Sequence, residues 1–346
     1  MLADELDYVI GVDTHRDTHA LAVVAAGSGA VVVVEAALAA CPRGYRRALA
    51  LARLHAGGKR AFAIEGTGAY GAGLARFLAA QGEHVLEVER PARARAPRGK
   101  SDVLDAIRAA RSLLGEDKLA QPRAEGKRAA LQALLLVREG AITARRAALC
   151  QLRALIVTAP PELREELRSL TRARLLRRCA RLRPGTAPQQ RGTRLALRLL
   201  ARRIQLLDVE ERALKREIAA LVQQLAPPLL AEPGIGPISA AQVIVAWSHP
   251  GRVRSEAAFA HLAGASPIPA SSGQIVRHRL DRGGDRQLNR ALHTVIISRR
   301  KHHQPTIAYI ERRTSEGKNT REAIRSLKRY LARHLYRLLE AMPATA

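Results

Sequence analysis

Aromatic residues are nearly missing from this chain, at 3% of 346 positions. No apolar run reaches the roughly 18 residues that a membrane-spanning helix needs. The three cysteines, Cys41, Cys150 and Cys179, lie far apart without a CxxC pair. Neither a structural zinc site nor a disulfide framework is therefore expected, and a reducing compartment fits. The opening MLADELDYVI lacks the basic start and apolar stretch of a secretory leader, so the expected location is the cytoplasm. Acidic residues are also scarce, 31 against 58 Lys and Arg, for a formal charge of +27. A GC-rich genome would inflate arginine, but this excess goes further. It gives a salt-sensitive affinity for phosphate backbones that is independent of base sequence. What is plentiful is Ala, Leu and Val. The 47% hydrophobic content excludes general disorder, and the length allows two domains with a connecting element.

Along the chain, YVIGV (8–12), ALAVVA (20–25) and AVVVVEA (30–36) read as three short strands with turns between them. A helix over 44–55, a strand over 60–65, a helix over 71–81, a strand over 83–88 and a helix from Ser101 follow. This α/β order matches a ribonuclease-H-like fold. Strand signals then stop. Residues 127–157 predict one long helix, and 160–205 hold 13 arginines against three glutamates. A break is expected at 184–192. Beyond it, Leu197, Leu200, Ile204, Leu207, Glu211, Leu214, Ile218, Leu221 and Leu225 alternate at spacings of three and four. That spacing predicts a coiled-coil seam, with packing inside its own domain as the alternative. Pro227 and Pro228 end the helix. A second globular region runs from 229 to 346 and closes with amphipathic helices over 286–300 and 320–341.

Four carboxylates in the first third carry the chemistry. Asp13 directly follows the strand YVIGV, and Glu65 ends the strand AFAIE. Asp102 and Asp105 are three apart, on one face of a helix. Taken singly, each reads as a surface charge or a helix cap. Taken together in one α/β topology, they suit Mg²⁺ or Mn²⁺ and phosphodiester chemistry. Arg93, Arg95, Arg98, Lys100 and Arg108 nearby could hold substrate phosphates. His15, Asp17 and His19 are too few and too close for a zinc site. They read as loop-shaping or phosphate-proximal residues. Pro233–Ala240, PGIGPISA, resembles a helix-hairpin-helix turn in which Gly234 and Gly236 let backbone N–H groups approach a DNA phosphate. Ser271 and Ser272 precede Gly273 in a loop flanked by Arg277, Arg279, Arg282 and Arg286, whose guanidiniums would stabilise phosphoryl charge.

GVDTHRDTHALAVV, AIEGTGAYG, GKSDVLDAIRAAR, EPGIGPISA and SSG…RGGDRQLNRAL occur in that order over nearly the whole chain. They resemble the transposases of the insertion sequence 110 family, also called DEDD transposases. The resemblance implies a RuvC-like domain (1–157) with metal-binding acids at Asp13, Glu65, Asp102 and Asp105. It further implies a coiled-coil linker (158–226) and a mainly helical transposase domain (227–346) with a serine nucleophile, best matched by Ser272 and next by Ser271. A phosphoserine intermediate, Mg²⁺, donor and target DNA, a structured bridge RNA and dimers pairing into tetramers in the bacterial nucleoid are likewise implied. Arg16 stands where the family commonly has Lys, and Arg282 where it usually has a nearby Lys. The alternatives are a metal-dependent junction nuclease without serine chemistry and a non-catalytic nucleic-acid-binding protein.

Overall fold

β-branched residues alternate with turn residues at the start of the chain, and strands form there. In the computed structural model, which describes residues 2–88, 101–116, 120–270, 278–281 and 283–342, β1 (Tyr8–Thr14), β2 (Thr18–Ala25) and β3 (Val31–Ala39) make an antiparallel meander. β4 (Arg60–Glu65) and β5 (His84–Val88) add in parallel on the far side of β1, giving the order β3-β2-β1-β4-β5. The expected order of elements is present, with β1, β2 and β3 each extended by a few residues.

Each face of this sheet has its own helical cover. Ile10, Val12, Leu21, Phe62 and Ile64 pack on α1 (Pro42–His55) and α2 (Ala72–Ala80). Burying each such side chain fully is worth roughly 1.5–3 kcal/mol. On the opposite face, Val9, Val24, Ala61, Ala63 and Leu86 meet Ala109, Ala110 and Leu113 of α3 (Asp102–Leu114). The fit of α3 depends on Gly11. A Cβ there would stand 2.0 Å from the Ala106 carbonyl oxygen and 2.6 Å from the Ala110 nitrogen. Glycine thus lets the helix backbone rest on the strand backbone.

The chain divides into two compact units. The first comprises Met1–Ala124 with the short segment Gly251–Arg254, and the second comprises Glu125–Pro250 with Ser255–Ala346. Within the first, Arg252 donates to Glu87 of β5 at 2.8 Å, and both side chains are largely buried.

The second unit is mostly helical. α4 (Lys127–Val157) and α7 (Pro188–Leu225) run antiparallel, since Arg138 pairs with Glu211 while Arg145, further along α4, pairs with the earlier Asp208. At one end of this pair, α5 (Pro161–Arg168) and α6 (Arg172–Ala180) bury Leu163, Leu167, Leu176 and Cys179 against Leu152, Ile156, Leu197 and Ile204. Then come α8 (Pro227–Ala231), α9 (Pro237–Trp247), α10 (Glu256–Leu262), the paired strands β6 (Pro267–Pro269) and β7 (His278–Leu280), α11 (Arg286–Arg299), α12 (Gln304–Ser315) and α13 (Thr320–Glu340).

Two sequence expectations change. The break expected at 184–192 is shorter, because Pro188 opens α7. Proline in a first helical turn has its φ already set and loses no hydrogen bond. The stripe expected to form an intermolecular seam is turned inward in part. Leu197, Ile204 and Ile218 are buried within the unit together with Ala201 and Val222. A different row on α7, Leu195, Leu199, Leu206 and Val209, is exposed.

Candidate functional site

Strand register places the first two acids. Val12 pairs with Ile64 across the parallel strands β1 and β4. Asp13 and Glu65 are one step further on each strand. Val12 and Ile64 face α1 and α2, so the two-residue period turns Asp13 and Glu65 toward α3. Thr14 Oγ1 donates to the Glu65 carbonyl oxygen at 2.9 Å, joining the two strand ends.

The second pair comes from the start of α3. Ser101 caps the helix by accepting from the Leu104 N–H at 3.3 Å, as the sequence predicts. Asp102 and Asp105 therefore fall in the first turn, where the helix dipole favours carboxylates. Asp105 accepts from Arg108 at 2.7 Å, so that arginine, read from sequence as a phosphate contact, is engaged inside the site.

His15 stands between the two groups. Its Nε2 is 3.1 Å from Asp13 Oδ2 and 3.4 Å from Asp102 Oδ1. Ligand atoms of Asp13, His15 and Asp102 all lie within 4.8 Å of one another, a spacing that could hold a metal ion. Glu65 and Asp105 are outside this tight group. Burial, together with the charges of Asp105 and Asp102, raises the Asp13 carboxyl above its usual range, while His15 opposes the rise. Asp13 is 6% exposed. A buried acid beside two others is costly unless a cation is near, and that cost is the physical sign that the donor set fits a divalent ion.

The sequence reading set His15 aside because three ligand types in five residues do not make a zinc site. The signal it lacked was the turn between β1 and β2, which folds His15 back over Asp13. His19 behaves differently. It is 1% exposed, faces α1 rather than the acids, and stacks on Tyr45 with ring centroids 6.0 Å apart. Burial holds its imidazole neutral, with its pKa lowered. His19 is a core residue, not a phosphate neighbour. Asp17 is an exposed turn residue paired with Arg16 at 2.8 Å.

In the second unit, α8 and α9 flank the PGIG turn. Gly234 has φ of 76°, a region few side chains tolerate, and a Cβ there would press on Arg299 and Val295 of α11. Its glycine is explained by internal packing. Arg299 holds the turn by donating to the Pro233 carbonyl at 2.6 Å and to Glu232 at 2.9 Å. Gly236, by contrast, is the N-cap of α9 with open space beside it.

Arg98, Lys100, Ser271, Ser272, Arg277 and Arg282 lie outside the described residues, as do Arg93 and Arg95. Arg279 on β7 and Arg286 at the start of α11 are exposed. Behind Arg286, Asp285 caps α11 through the N–H groups of Gln287 and Leu288. Asn289 donates to the carbonyls of Ala263 and Gly264 and accepts from the buried ammonium of Lys328 at 2.8 Å. This chain of contacts anchors the turn that leads into β6.

A mixed five-stranded sheet with acids at the ends of its inner strands β1 and β4 and on the first turn of α3, followed by a mostly helical unit, is consistent with a DEDD nuclease-like domain joined to a helical one. The comparisons agree. A DEDD transposase family model of the IS110 type matches residues 10–161, and a model described as "Transposase IS116/IS110/IS902 family" matches residues 226–311. The "Insertion element IS110 uncharacterized 43.6 kDa protein" of Streptomyces coelicolor is 29% identical over 143 residues, which cover 40% of this chain and 35% of that relative. The chain belongs to the insertion sequence 110 family of transposases. It spans about a third of the length of the curated relative it matches. No helix among the described residues is long and apolar enough to cross a membrane.

Proposed function

We propose that this chain is an RNA-guided recombinase of a bacterial insertion sequence, cutting, exchanging and rejoining DNA strands. The observation that supports it most is the convergence of Asp13 and Asp102 on one point, with only His15 Nε2 between them. In this reading the first unit has a ribonuclease-H-like, RuvC-like fold. Asp13, Glu65, Asp102 and Asp105 would hold Mg²⁺ or Mn²⁺, and His15 would favour Mn²⁺ because its nitrogen suits Mg²⁺ poorly. The bound ion would supply charge neutralisation at the phosphate.

Ser272 Oγ, with Ser271 as the alternative, attacks the scissile phosphorus. An Oγ–P bond forms as the bond from phosphorus to the departing deoxyribose oxygen breaks, and that oxygen takes up the proton that Oγ gives up. Attack by the hydroxyl of the exchanged strand reverses the step and religates the DNA. Arg277, Arg279, Arg282 and Arg286 hold the phosphate, and Arg98, Lys100, Gly234 and Gly236 contact nucleic acid. Donor and target DNA are selected by a structured bridge RNA. The division into 1–157, 158–226 and 227–346 assigns the acids, the helical linker and the serine to separate parts. The acids then complete a site with the serine of another subunit. The dimers and tetramers this requires would use a coiled coil, for which the exposed row Leu195, Leu199, Leu206 and Val209 on α7 offers a free apolar face. The protein works in the bacterial cytoplasm, on the nucleoid.

The test is strand exchange with guide RNA, donor and target DNA. Asp13→Ala, Asp102→Ala and Asp105→Ala should each abolish recombination and leave RNA binding largely intact. Ser272→Ala should abolish the covalent protein–DNA adduct on a denaturing gel. Normal recombination by the aspartate variants refutes the metal site. An adduct persisting in Ser272→Ala moves the nucleophile, first to Ser271. Free DNA ends without any adduct in the unaltered protein indicate a junction nuclease instead.

A further inference from the structure

Charge is not spread evenly over the second unit. From Leu167 to Leu207 the chain has no Asp or Glu and twelve arginines. A genome-wide bias would raise arginine everywhere, but it would not clear one stretch of acids. This stretch lies between the two regions that family models match. It covers the end of α5, all of α6 and the first half of α7, at one end of the α4–α7 pair.

Elsewhere in the unit, several arginines are paired with acids across helices. Arg138 pairs with Glu211, Arg290 with Glu139, Arg299 with Glu232 and Arg333 with Glu256. On α6 the pattern changes. Leu176 and Cys179 point into the core, so the arginines are forced onto the outer face. Arg178 finds Glu166, but Arg174, Arg177 and Arg181 are exposed and have no acidic partner among the described residues. They stand at i, i+3 and i+7, one stripe on one helix face. Like charges at this spacing destabilise an isolated helix. An extended polyanion would reverse that cost by meeting several guanidiniums at once.

We infer that the exposed face of α6, with the adjoining ends of α5 and α7, docks the phosphate backbone of duplex DNA without reading bases. α7 is 38 residues long, about 57 Å at 1.5 Å per residue. The stripe therefore grips nucleic acid roughly 40 Å along that helix from α9, where the PGIG turn lies. The occupant is duplex DNA flanking the exchange site, the substrate that a transposase has to hold. The partner class rests on the function proposed above, whereas the segregation of charge does not.

The test uses the full chain with Arg174, Arg177 and Arg181 all changed to Gln. Its control is Arg43, Arg46 and Arg47 changed to Gln, the same charge loss from exposed positions on α1. Binding to a 30-base-pair DNA duplex and to an RNA stem-loop is followed by fluorescence anisotropy across a salt series. The stripe variant should bind the DNA duplex about tenfold or more weakly at 0.1 M salt. Its slope of log Kd against log salt should be lower by about 2–3, from roughly 0.9 per lost duplex phosphate contact. The control should keep the unaltered slope. Loss with the RNA stem-loop alone, with DNA binding unchanged, assigns the stripe to RNA and overturns the inference. Equal slopes for stripe variant, control and unaltered protein overturn the inference and leave the proposed function standing. Failure of the unaltered protein to bind either nucleic acid sinks both. Unchanged nucleic-acid binding with loss of adhesion to anionic vesicles assigns the stripe to a lipid surface and overturns the inference.

Discussion

Gly11 of β1 and Ala106 of α3 touch backbone to backbone: a Cβ on residue 11 would lie 2.0 Å from the Ala106 carbonyl oxygen. One missing side chain thus sets the height of α3 over the sheet, and with it the distance of Asp102 from Asp13.

Gly11→Ala should therefore damage the site without touching any acid. The helix must shift, and overpacking of this kind costs about 1–3 kcal/mol. Thermal unfolding should show a lower midpoint, by about 2–4 °C per kcal/mol for a domain of 150–250 residues. Mn²⁺ affinity should fall as well. A variant with unchanged midpoint and unchanged Mn²⁺ binding would show that α3 is positioned by something else.

Asp13→Asn should separate stability from activity. Burial raises the folded-state pKa of Asp13 above 3.8, so the charged form is disfavoured in the folded protein. This group's cost is absent below pH 3.8, grows as pH rises from there toward the folded pKa, and is fully present above it. With metal chelated at pH 7, the Asn variant should melt at a higher temperature than the unaltered protein. The gap should close as pH falls toward 4. Recombination should be lost, since removing a metal-based charge contact costs several kcal/mol, or roughly a thousandfold or more in rate. A variant that melts lower in EDTA at pH 7 argues against the buried-charge account.

Asn289→Ala should be worse for the fold than Lys328→Met. The first leaves a buried ammonium without the oxygen it donates to, at a cost of about 1–3 kcal/mol. The second removes the charge itself. Burial lowers the Lys328 pKa below 10.5, so the penalty for its charge is present below the folded pKa and fades as pH rises from there toward 10.5. The deficit of Asn289→Ala should shrink over that alkaline window. Chemical denaturation at several pH values measures it, and equal deficits for the two variants would rule out the buried charge as the cause.

Leu199→Glu combined with Leu206→Glu tests the outer row of α7. Both leucines are more than half exposed, at 57% and 68%, so the fold should survive with an unchanged melting midpoint. Sedimentation should show smaller assemblies than the unaltered protein forms. Assemblies of unchanged size place the subunit contact off this row.

The first unit was legible because its signals are local. Turn residues delimit β1 to β5, and Ser101 announces the helix that presents Asp102 and Asp105. The position of His15 was not legible, since it follows from the β1–β2 turn bending back over Asp13. His19, four residues on, looked equivalent and is buried in the opposite face by strand alternation. On α7 the spacing of three and four predicts a coiled-coil seam, whereas Leu197, Ile204 and Ile218 of that row are buried within the unit. Spacing alone could not say that α4, α6 and α9 of the same chain would cover much of it. The short elements α10, α12, β6 and β7 left no periodic trace long enough to read.

Arg252 reaches Glu87 from a point 165 residues further along the chain. Cutting the protein after Ala124 would strip β5 of that guanidinium and leave the largely buried Glu87 carboxylate without its counter-charge. A shortened polypeptide carrying all four acids is therefore a poor stand-in for the intact protein. Mixing it with a separately made remainder should restore solubility only when that remainder includes 251–254.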